Sequence, residues 1–306
     1  MEQENKHSES LKVLSDTQMI VRNSIGIRKV LNRKSFRGYL KEKGHDVLGF
    51  ARSKSNLVDS VTGDAKNEAF IKELVGVNRF DSIINCIGIL NQYAENNKAD
   101  AVYLNSYFPH YLAQLTEGTN TQIIHMSTDC VFSGKRGQYA EDDFCDGTTF
   151  YDRSKALGEL NDSKNITLRN SIIGPDINPN GIGLLHWFMQ QSGEINGYTG
   201  AIWTGQTTLQ LAKTMEAVSK ERAHGLYNMV PDVSISKYEL LKLFNKYLRS
   251  DKVKVVPVNK MAADKSLKRT CWDFDYKIPD YEQMIVELGE CMILHKELYP
   301  YYYLRG

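Results

Sequence analysis

The chain has 306 residues, of which 42% are hydrophobic and 25% charged, and these proportions are typical of a soluble globular protein. A formal net charge of +1 gives no electrostatic basis for binding nucleic acid or an anionic membrane. Five scattered cysteines without a Cys-x-x-Cys pair favour a reducing compartment and argue against a structural zinc site. No apolar stretch approaches the roughly 20 residues of a membrane helix. We therefore expect a cytoplasmic protein without a bound metal.

The first forty residues have the least regular pattern. The segment around Gly26, VRNSIGIRKVLNRKSF, stands where a dinucleotide-binding unit would carry an apolar strand and a glycine-rich turn. Its bulky and basic side chains would occupy the volume that a pyrophosphate needs. We expect residues 1–20 to be irregular, the basic run from Arg28 to Arg37 to be solvated, and dinucleotide binding to be weak.

Order begins near Tyr39, and residues 46–51 predict a strand that is followed by Arg52 and Lys54. In a dinucleotide-binding unit, Arg near the end of the second strand accommodates the 2′-phosphate of NADP, whereas an acidic residue binds the ribose of NAD. Arg52 therefore favours NADP(H) over NAD(H), with NAD(H) still compatible. The alternative is that both charges are simply solvated at the surface.

The middle of the chain alternates between helix and strand. The pattern predicts a helix over residues 68–77, a buried strand over 80–89, a helix over 101–116 and a short buried strand over 123–126. The last of these ends on Ser127, Thr128 and Asp129.

The spacing Tyr-x-x-x-Lys occurs three times, at Tyr39, Tyr151 and Tyr238. Only Tyr151 and Lys155 follow a strand that ends in Ser-Thr-Asp, and on a helix they share one face. A hydroxyl, a phenol and an ammonium are the groups needed to protonate a carbonyl oxygen while hydride reaches its carbon. The candidate catalytic residues are therefore Thr128, Tyr151 and Lys155. We do not favour His125 and Cys130 as a thiol–imidazole pair, because no third orienting group is evident and, if the strand runs through both, their odd separation puts them on opposite faces.

The remaining residues predict further strands and helices around a loop-rich segment. Strands are predicted over 166–173, 225–230 and 252–258, helices over 207–220, 236–248 and 279–297, and loops over 178–200.

Two segments carry a resemblance to a known family. STDCVFSG, which begins at Ser127, resembles the STDYVF-G segment of the dTDP-4-dehydrorhamnose reductase group of extended short-chain dehydrogenase/reductases. YDRSKALGE, which begins at Tyr151, resembles its Y-x-x-(S/T)-K-x-x-G-E pattern. The resemblance is strong from Asp81 to Pro175, and the atypical N-terminus lacks the family's glycine-rich fingerprint.

The resemblance implies an α/β fold, with a Rossmann-like doubly wound parallel sheet and a small C-terminal substrate-binding lobe. Residues 1–170 would form the dinucleotide-binding domain and residues 171–306 the substrate lobe, the two being partly interleaved. Asp64 matches the family's Asp beside the adenine, although it also suits an N-cap. Asn105 matches a buried Asn whose main chain, elsewhere in the superfamily, helps to hold a proton-relay water; the alternative is a mid-helix amide that bonds a neighbouring carbonyl. The implied cofactor-binding residues are Arg52, Asp64, Asn85, Cys86, Ile87, Gly88, Tyr151 and Lys155.

The implied function is NADP(H)-dependent reduction of a 4-keto-6-deoxysugar nucleotide in cell-surface polysaccharide synthesis. A nucleotide sugar would be the partner, with no nucleic acid and no membrane, and a homodimer is compatible with the family. Two alternatives stay open. One is a non-catalytic nucleotide-sugar-binding or regulatory protein on the same fold, and the other is a sugar-nucleotide epimerase that uses the same three residues.

Overall fold

The computed structural model describes residues 17–21, 39–41, 43–52, 59–176, 181, 183–259, 263–300 and 302. In this part of the chain the strands are β1 (Thr17–Val21), β2 (Val47–Ala51), β3 (Ser60–Thr62), β4 (Ser82–Asn85), β5 (Gln122–Met126), β6 (Ile166–Arg169), β7 (Ser171–Ile173), β8 (Gly193–Tyr198), β9 (Ala201–Trp203), β10 (Gly205–Thr207), β11 (Gly225–Asn228), β12 (Ile235–Ser236), β13 (Val253–Val258) and β14 (Ala263–Asp264). The helices are α1 (Glu68–Val77), α2 (Asn91–Asn96), α3 (Lys98–Ala101), α4 (Phe108–Leu115), α5 (Phe150–Ala156), α6 (Leu184–Met189), α7 (Thr208–Glu221), α8 (Lys237–Arg249) and α9 (Tyr281–Leu294). A π-helix, Val102–Tyr107, joins α3 to α4, and 3-10 helices cover Asp129–Val131 and Lys296–Leu298.

The strands of the first half assemble into the sheet that the sequence predicts. Strands β11, β6, β5 and β4 pair in parallel in that order. Strands β1, β2 and β3 form a second group, in which β1 lies beside β4. The order across the molecule is therefore β3-β2-β1-β4-β5-β6-β11, which contains the order 3-2-1-4-5-6 of a Rossmann-like doubly wound sheet. The predicted fold class is confirmed.

The first strand departs from this fold in its direction. β1 is antiparallel to β2, with Thr17 opposite Ala51 and Val21 opposite Val47, whereas β2 and β3 are parallel. β1 therefore begins at the edge of the sheet where β2 ends, and it ends at the edge where β2 begins.

This reversal bears on the predictions for the N-terminal segment. The expectation that residues 1–20 are irregular does not hold for residues 17–20, which belong to β1. Residues 1–16, Gly26 and the basic run from Arg28 to Arg37 lie outside the described residues. Val21, the last residue of β1, pairs with Val47, the first residue of β2. A dinucleotide-binding turn lies at the other edge of the sheet, where β2 and β3 end.

The main sheet is buried on both faces. Ile84 and Ile124 belong to the larger core, together with residues of α7, α8 and α9. Their neighbours in the chain, Ile83 and Ile123, belong to a second core with residues of α1 and α4. Side chains alternate along a strand, so a run of consecutive apolar residues is what a parallel sheet between two layers of helices requires. Within the described residues no helix has the length and apolar character to cross a membrane.

Residues after Asn170 build smaller sheets beside the main one. β7 pairs with β10, β8 with β13, and β9 with both β12 and β14. β11 returns to the main sheet and pairs with β6. The two halves of the chain are therefore interleaved, while the boundary at residue 170 stays a prediction.

Two predictions for this second half are corrected. The strand predicted over residues 166–173 is two strands, β6 and β7, which separate at Asn170 and join different sheets. The loop-rich segment predicted over residues 178–200 contains α6 and β8. Parallel pairing with β13 holds β8 in place, and burial of Leu185 and Phe188 in the larger core holds α6, so long-range packing overrides the local glycine-rich pattern.

The helix that carries Tyr151 has a defined start. The Thr149 side chain accepts a hydrogen bond from the N–H of Asp152 at 3.1 Å, and the Asp152 carboxylate accepts one from the N–H of Thr149 at 3.1 Å. This reciprocal pair is a capping box, and removing such an N-cap typically costs about 1 kcal/mol. The sequence Thr-x-x-Asp therefore fixes the first turn of α5, in which Tyr151 lies.

The end of α5 approaches the π-helix closely at Gly158. A methyl group on Gly158 would lie 1.8 Å from the main-chain oxygen of Asn105. Nearby, the Ser106 hydroxyl donates to the main-chain carbonyl of Ser154 at 2.7 Å. Only a residue without a Cβ lets the two segments come this close.

We predict that Gly158→Ala destabilises the protein by about 1–3 kcal/mol, the usual range for overpacking a buried contact. Gly76→Ala is the matched control, because a methyl group there meets nothing within 4 Å on the exposed side of α1. That variant should gain roughly 0.5–1 kcal/mol from alanine's better helix propensity. Urea denaturation measures both, and equal midpoints for the two variants would contradict the close contact.

Candidate active site

Tyr151 occupies a buried position in the first turn of α5. Its side chain packs against Ile89 and Ala94, and Cys130 contacts the same cluster. Burial raises the pKa of Tyr151, and a hydrogen bond with the Thr128 hydroxyl acts in the opposite direction. Because burial is the larger effect, the phenol keeps its proton at neutral pH and can donate it.

Thr128 lies two residues beyond β5 and faces Tyr151. Its hydroxyl donates to Asp129 Oδ1 at 3.0 Å and accepts from the N–H of Cys130 at 3.1 Å, which caps the following 3-10 helix. Burial raises the pKa of the Asp129 carboxyl, while the bond from Thr128 lowers it. The turn after β5 therefore presents a fixed hydroxyl beside the phenol.

Lys155 lies one helical turn after Tyr151. Its Nζ donates to the main-chain carbonyl of Met126 at 2.7 Å and lies 3.4 Å from His125 Nε2. Burial lowers the pKa of Lys155 to about 8, and the negative charge of Glu159 raises it. The three predicted catalytic residues thus lie together, with Lys155 joining α5 to the end of β5.

His125 extends this contact into the sheet. Its Nδ1 lies 3.1 Å from Asn85 Nδ2, and Asn85 Oδ1 accepts from the N–H of Ile87 at 3.1 Å. Burial lowers the pKa of His125 well below its usual value, and the charge of Lys155 lowers it further. His125 is therefore neutral at physiological pH. Sequence reasoning weighs His125 only as a partner of Cys130, whereas its partners in the structure are Asn85 and Lys155.

The amide of Asn105 links the two sides of the site. Its Oδ1 accepts from the N–H of Ile89 at 2.8 Å, and its Nδ2 donates to the Ile89 carbonyl at 3.0 Å and to the Ser154 hydroxyl at 2.9 Å. Ser154 in turn donates to the carbonyl of Tyr151 at 3.0 Å. The buried Asn105 therefore ties the turn after β4 to the helix that carries Tyr151, and its side chain bonds the neighbouring carbonyl as one of the two interpretations expects.

An open pocket lies where β2, β3 and β4 end. Arg52, Asp64 and Ile87 line it, and it encloses about 510 Å³, including space open to solvent. Ile89 lines the same pocket and packs against Tyr151. Three of the predicted cofactor-binding residues therefore lie together, next to the candidate catalytic residues.

The other predicted cofactor-binding residues of this turn lie behind the pocket wall. The Asn85 side chain bonds His125, and Cys86 packs against the larger core, where burial raises the pKa of its thiol. A methyl group on Gly88 would lie 2.9 Å from Asn105 Oδ1 and 3.9 Å from Lys155 Cδ. Gly88 therefore lets the turn fit against both side chains.

Asp64 stands in a turn and does not cap a helix. Its Oδ1 accepts from the N–H of Lys66 at 2.9 Å, while the N-cap of α1 is Asn67, whose side chain accepts from the N–H of Phe70. Lys66 also forms an ion pair with Asp100 at 3.1 Å, and both residues line the pocket. The alternative of an N-capping Asp64 is wrong.

The described residues suit the adenosine of a dinucleotide better than its pyrophosphate. The pocket combines apolar walls, Ile87 and Leu104, with the Asp64 carboxylate and the Arg52 guanidinium. These groups suit an adenosine that carries a 2′-phosphate. Residues 22–38, which follow β1, lie outside the described residues, so the described residues include no turn that would hold the pyrophosphate. The fit therefore covers the adenosine end and leaves out the pyrophosphate.

Sequence reasoning missed a buried ion pair beneath the site. Arg169 donates from Nη2 to Glu159 Oε2 at 2.6 Å and from Nε to Oε1 at 2.8 Å, and the Ser127 hydroxyl donates to the same Oε1 at 2.6 Å. This pair ties β6, the end of β5 and the chain after α5 together. The signal is present in the pattern Y-x-x-(S/T)-K-x-x-G-E, whose last residue is Glu159.

The sequence of the chain is similar to a known family and to characterised proteins. The model of the family described as RmlD substrate binding domain matches residues 34–271. The spore coat polysaccharide biosynthesis protein SpsK of Bacillus subtilis (strain 168) is 30% identical over 122 residues, which cover 39% of this chain and 40% of SpsK. The dTDP-4-keto-6-deoxy-D-glucose reductase of Streptomyces niveus is 24% identical over 229 residues, which cover 70% of this chain and 78% of that reductase. The chain thus spans less than half the length of SpsK.

Solved structures show the same fold. A hypothetical dTDP-4-dehydrorhamnose reductase from Sulfolobus tokodaii superposes with a TM-score of 0.67 at 19% identity, covering 81% of this chain and 93% of that one. The dTDP-4-dehydrorhamnose reductase of Bacillus anthracis str. Ames, solved in complex with NADP, gives a TM-score of 0.65 at 21% identity, covering 76% and 88%.

Proposed function

The chain belongs to the RmlD substrate binding domain family, and from this premise we propose that it is an NADP(H)-dependent reductase of a 4-keto-6-deoxysugar nucleotide. The Streptomyces niveus relative is named as such a reductase, and SpsK is named for polysaccharide biosynthesis. The first name supports the reaction, and the second supports a role in cell-surface polysaccharide synthesis. We assign the reaction to the cytoplasm, with residues 1–170 binding the dinucleotide and residues 171–306 the sugar.

One observation carries the proposal: Thr128, Tyr151 and Lys155 meet at the end of β5, next to the pocket lined by Arg52. Tyr151 is the general acid: its phenol is protonated at neutral pH, and the charge of the neighbouring Lys155 favours loss of that proton. Thr128 bonds the same substrate oxygen after its hydroxyl turns away from Asp129, and thereby orients the carbonyl. Lys155, on the same face of α5, acts on the phenol and holds the nicotinamide ribose.

The dinucleotide, when bound, supplies the hydride. On the protein side, Arg52 and Asp64 hold the adenosine end, and Ile87 forms part of the wall against which it packs. The pyrophosphate lacks the backbone donors of a glycine-rich turn, so we expect weak binding. These contacts make Arg52 the residue that selects NADPH.

The missing turn also favours a second candidate, a non-catalytic protein that binds a nucleotide sugar. In that case the residues around Tyr151 would bind sugar hydroxyls, and no hydride would be transferred. The buried phenol and the amine held beside it favour the reductase, because binding a hydroxyl alone does not require a protonated acid in a dry site.

We predict that Tyr151→Phe lowers kcat for reduction of a 4-keto sugar nucleotide by about 10²–10⁴-fold, the usual contribution of a general acid. The fold should persist, because the substitution removes one hydroxyl. Tyr238→Phe is the matched control, since Tyr238 has the same Tyr-x-x-x-Lys spacing but stands on α8. Steady-state rates decide the matter: full kcat in Tyr151→Phe would overturn the assignment of the acid.

We predict that the protein binds NADPH more tightly than NADH, and that Arg52→Ala removes the difference. A charge-assisted hydrogen bond contributes about 1.5–3 kcal/mol, which corresponds to roughly tenfold or more in the ratio of affinities. Arg79→Ala, an exposed arginine outside the pocket, should leave the ratio unchanged. Titration of intrinsic fluorescence with each dinucleotide measures the ratio, and equal affinities in the unmodified protein would exclude the role of Arg52.

A further inference from the structure

We propose that Lys237 and Lys265 form an anion subsite that binds the diphosphate of a sugar nucleotide. Both lysines belong to the second half of the chain, and each follows a strand of the same small sheet. The identity of the anion as a diphosphate rests on the proposed function, whereas the two neighbouring cations are a feature of the structure itself.

The small sheet β12-β9-β14 places both lysines on one face. Ile235 of β12 pairs with Trp203 of β9, and Lys237, two residues later, lies on the same face because side chains alternate along a strand. Its Nζ lies 5.7 Å from the centre of the Trp203 ring. On the other side of β9, Lys265 follows Asp264, the last residue of β14, and continues that strand to the level of Trp203. The two ammonium groups therefore flank the same ring.

The chain that leaves the candidate active site holds Lys265 in place. The N–H of Asp264 donates to the main-chain carbonyl of Gly134 at 3.0 Å. A methyl group on Gly134 would lie 2.9 Å from Lys265 Cγ, so the stem of this lysine packs directly against the glycine. Gly134 ends the segment STDCVFSG, which also carries Thr128. Lys265 is therefore fixed relative to the turn that presents the candidate catalytic hydroxyl.

The charges of both lysines act on this turn. Lys237 and Lys265 each favour the charged form of the Asp129 carboxyl and so lower its pKa. Asp129 accepts a hydrogen bond from the Thr128 hydroxyl at 3.0 Å, and its charge acts on Tyr151. The two ammonium groups therefore lie near the candidate general acid, with Asp129 as their common neighbour.

Neither ammonium has an anionic partner at close range. Among the residues that the structure describes, Lys237 and Lys265 take part in no ion pair and no side-chain hydrogen bond. Lys237 is also partly buried, which lowers the pKa of its ammonium, and it stands in the first turn of α8, where the helix dipole disfavours a positive charge. The Trp203 ring offsets only part of these costs. A cation held in such a place without a partner is typical of a group that binds an anion.

Asp129 is the nearby group that opposes an anion. Its single negative charge faces two positive charges, so the cluster keeps an excess of positive charge. The Cys130 thiol adds no charge, because burial raises its pKa to about 12. The Asp264 carboxylate is engaged elsewhere, since its Oδ1 accepts from the N–H of Ser266 at 2.9 Å. The cluster therefore attracts an anion.

A sugar nucleotide matches this arrangement of charges. Its carbonyl at C4 and its diphosphate at C1 lie on opposite sides of the sugar ring, so the diphosphate must lie near Tyr151 without contacting it. Lys237 and Lys265 have this relation to Tyr151 through Asp129, and an ammonium binds phosphate as a point charge. The pyrophosphate of the dinucleotide fits less well, because the pocket lined by Arg52 lies at the ends of β2, β3 and β4, whereas the lysines follow β12 and β14.

Isothermal titration calorimetry with dTDP, and in parallel with inorganic pyrophosphate, tests this subsite without cofactor or activity. We expect Lys237→Met and Lys265→Met each to weaken the binding of both ligands about tenfold or more, because each removes a charge-assisted contact and keeps an unbranched side chain. Lys242→Met is the matched control: Lys242 is exposed on α8 and paired with Glu239, so its loss should leave both affinities unchanged. The affinity for NADPH should be the same in all three variants.

Urea denaturation of the same variants separates binding from packing. Lys237→Met should unfold at an unchanged or higher urea concentration, because it removes a partly buried charge that has no anionic partner. A lower midpoint with unchanged dTDP affinity would assign Lys237 to packing alone and overturn the subsite. If Lys237→Met does not fold, Lys265→Met, on a different strand, decides the same question.

Two further results would overturn the subsite: no binding of dTDP or pyrophosphate to the unmodified protein, or a loss of NADPH affinity in place of dTDP affinity. Unchanged dTDP affinity in both methionine variants would contradict the role of the lysines and leave the proposed reductase intact. Conversely, dTDP binding that depends on both lysines, in a protein without reductase activity, would leave the subsite intact.

Discussion

The candidate site depends on one buried amide, that of Asn105. Its three hydrogen bonds join the turn after β4 to α5, so the wall of the pocket lined by Ile89 and the helix carrying Tyr151 share one anchor. The π-helix around Asn105 widens the backbone at this point, and such single-turn insertions often occur at functional sites. Gly158, two residues after α5, lies directly against the main chain of Asn105 in this π-helix. Leaving the Ile89 N–H and carbonyl unsatisfied would cost about 1–3 kcal/mol each.

Burial shapes the chemistry of the groups that this anchor positions. It raises the pKa of Tyr151 and lowers that of Lys155 to about 8, so at neutral pH a protonated phenol lies beside a lysine that keeps most of its charge. A charged Lys155 favours loss of the phenol's proton and so opposes the effect of burial on Tyr151.

Much of this arrangement follows from the sequence. The helix over Glu68–Val77 and the buried strand before Ser127 follow from the spacing of apolar residues, and Tyr151 stands out because a strand ending in Ser-Thr-Asp precedes it. The contact of His125 with Asn85 and Lys155 does not follow, because it depends on the register between β4 and β5. The sequence does not predict α6, because neighbouring glycines give the segment the pattern of a loop. Burial of Leu185 and Phe188 in the larger core stabilises this helix.

The reversed first strand also lay beyond sequence reasoning, because pairing with β2 and contact with β4 hold it in place. Because β1 is antiparallel to β2, its last residue lies at the edge of the sheet opposite the carboxyl ends of β2 and β3, where a doubly wound sheet would bind its dinucleotide. The proposed function joins a candidate acid, Tyr151, to a pocket whose lining suits the adenosine end of a dinucleotide. Weak cofactor binding and intact proton donation are compatible in such a protein.

Deuterium transfer tests the central claim most directly. The protein would be incubated with NADPH deuterated at C4 of the nicotinamide, at a concentration high enough to offset weak binding, and with a dTDP-4-keto-6-deoxysugar. The account predicts one deuterium at C4 of the product sugar and one NADP⁺ for each sugar reduced, measured by mass spectrometry and absorbance. An isomerised sugar without net oxidation of NADPH would indicate an epimerase, and an unchanged sugar a binding protein; either result would contradict the account.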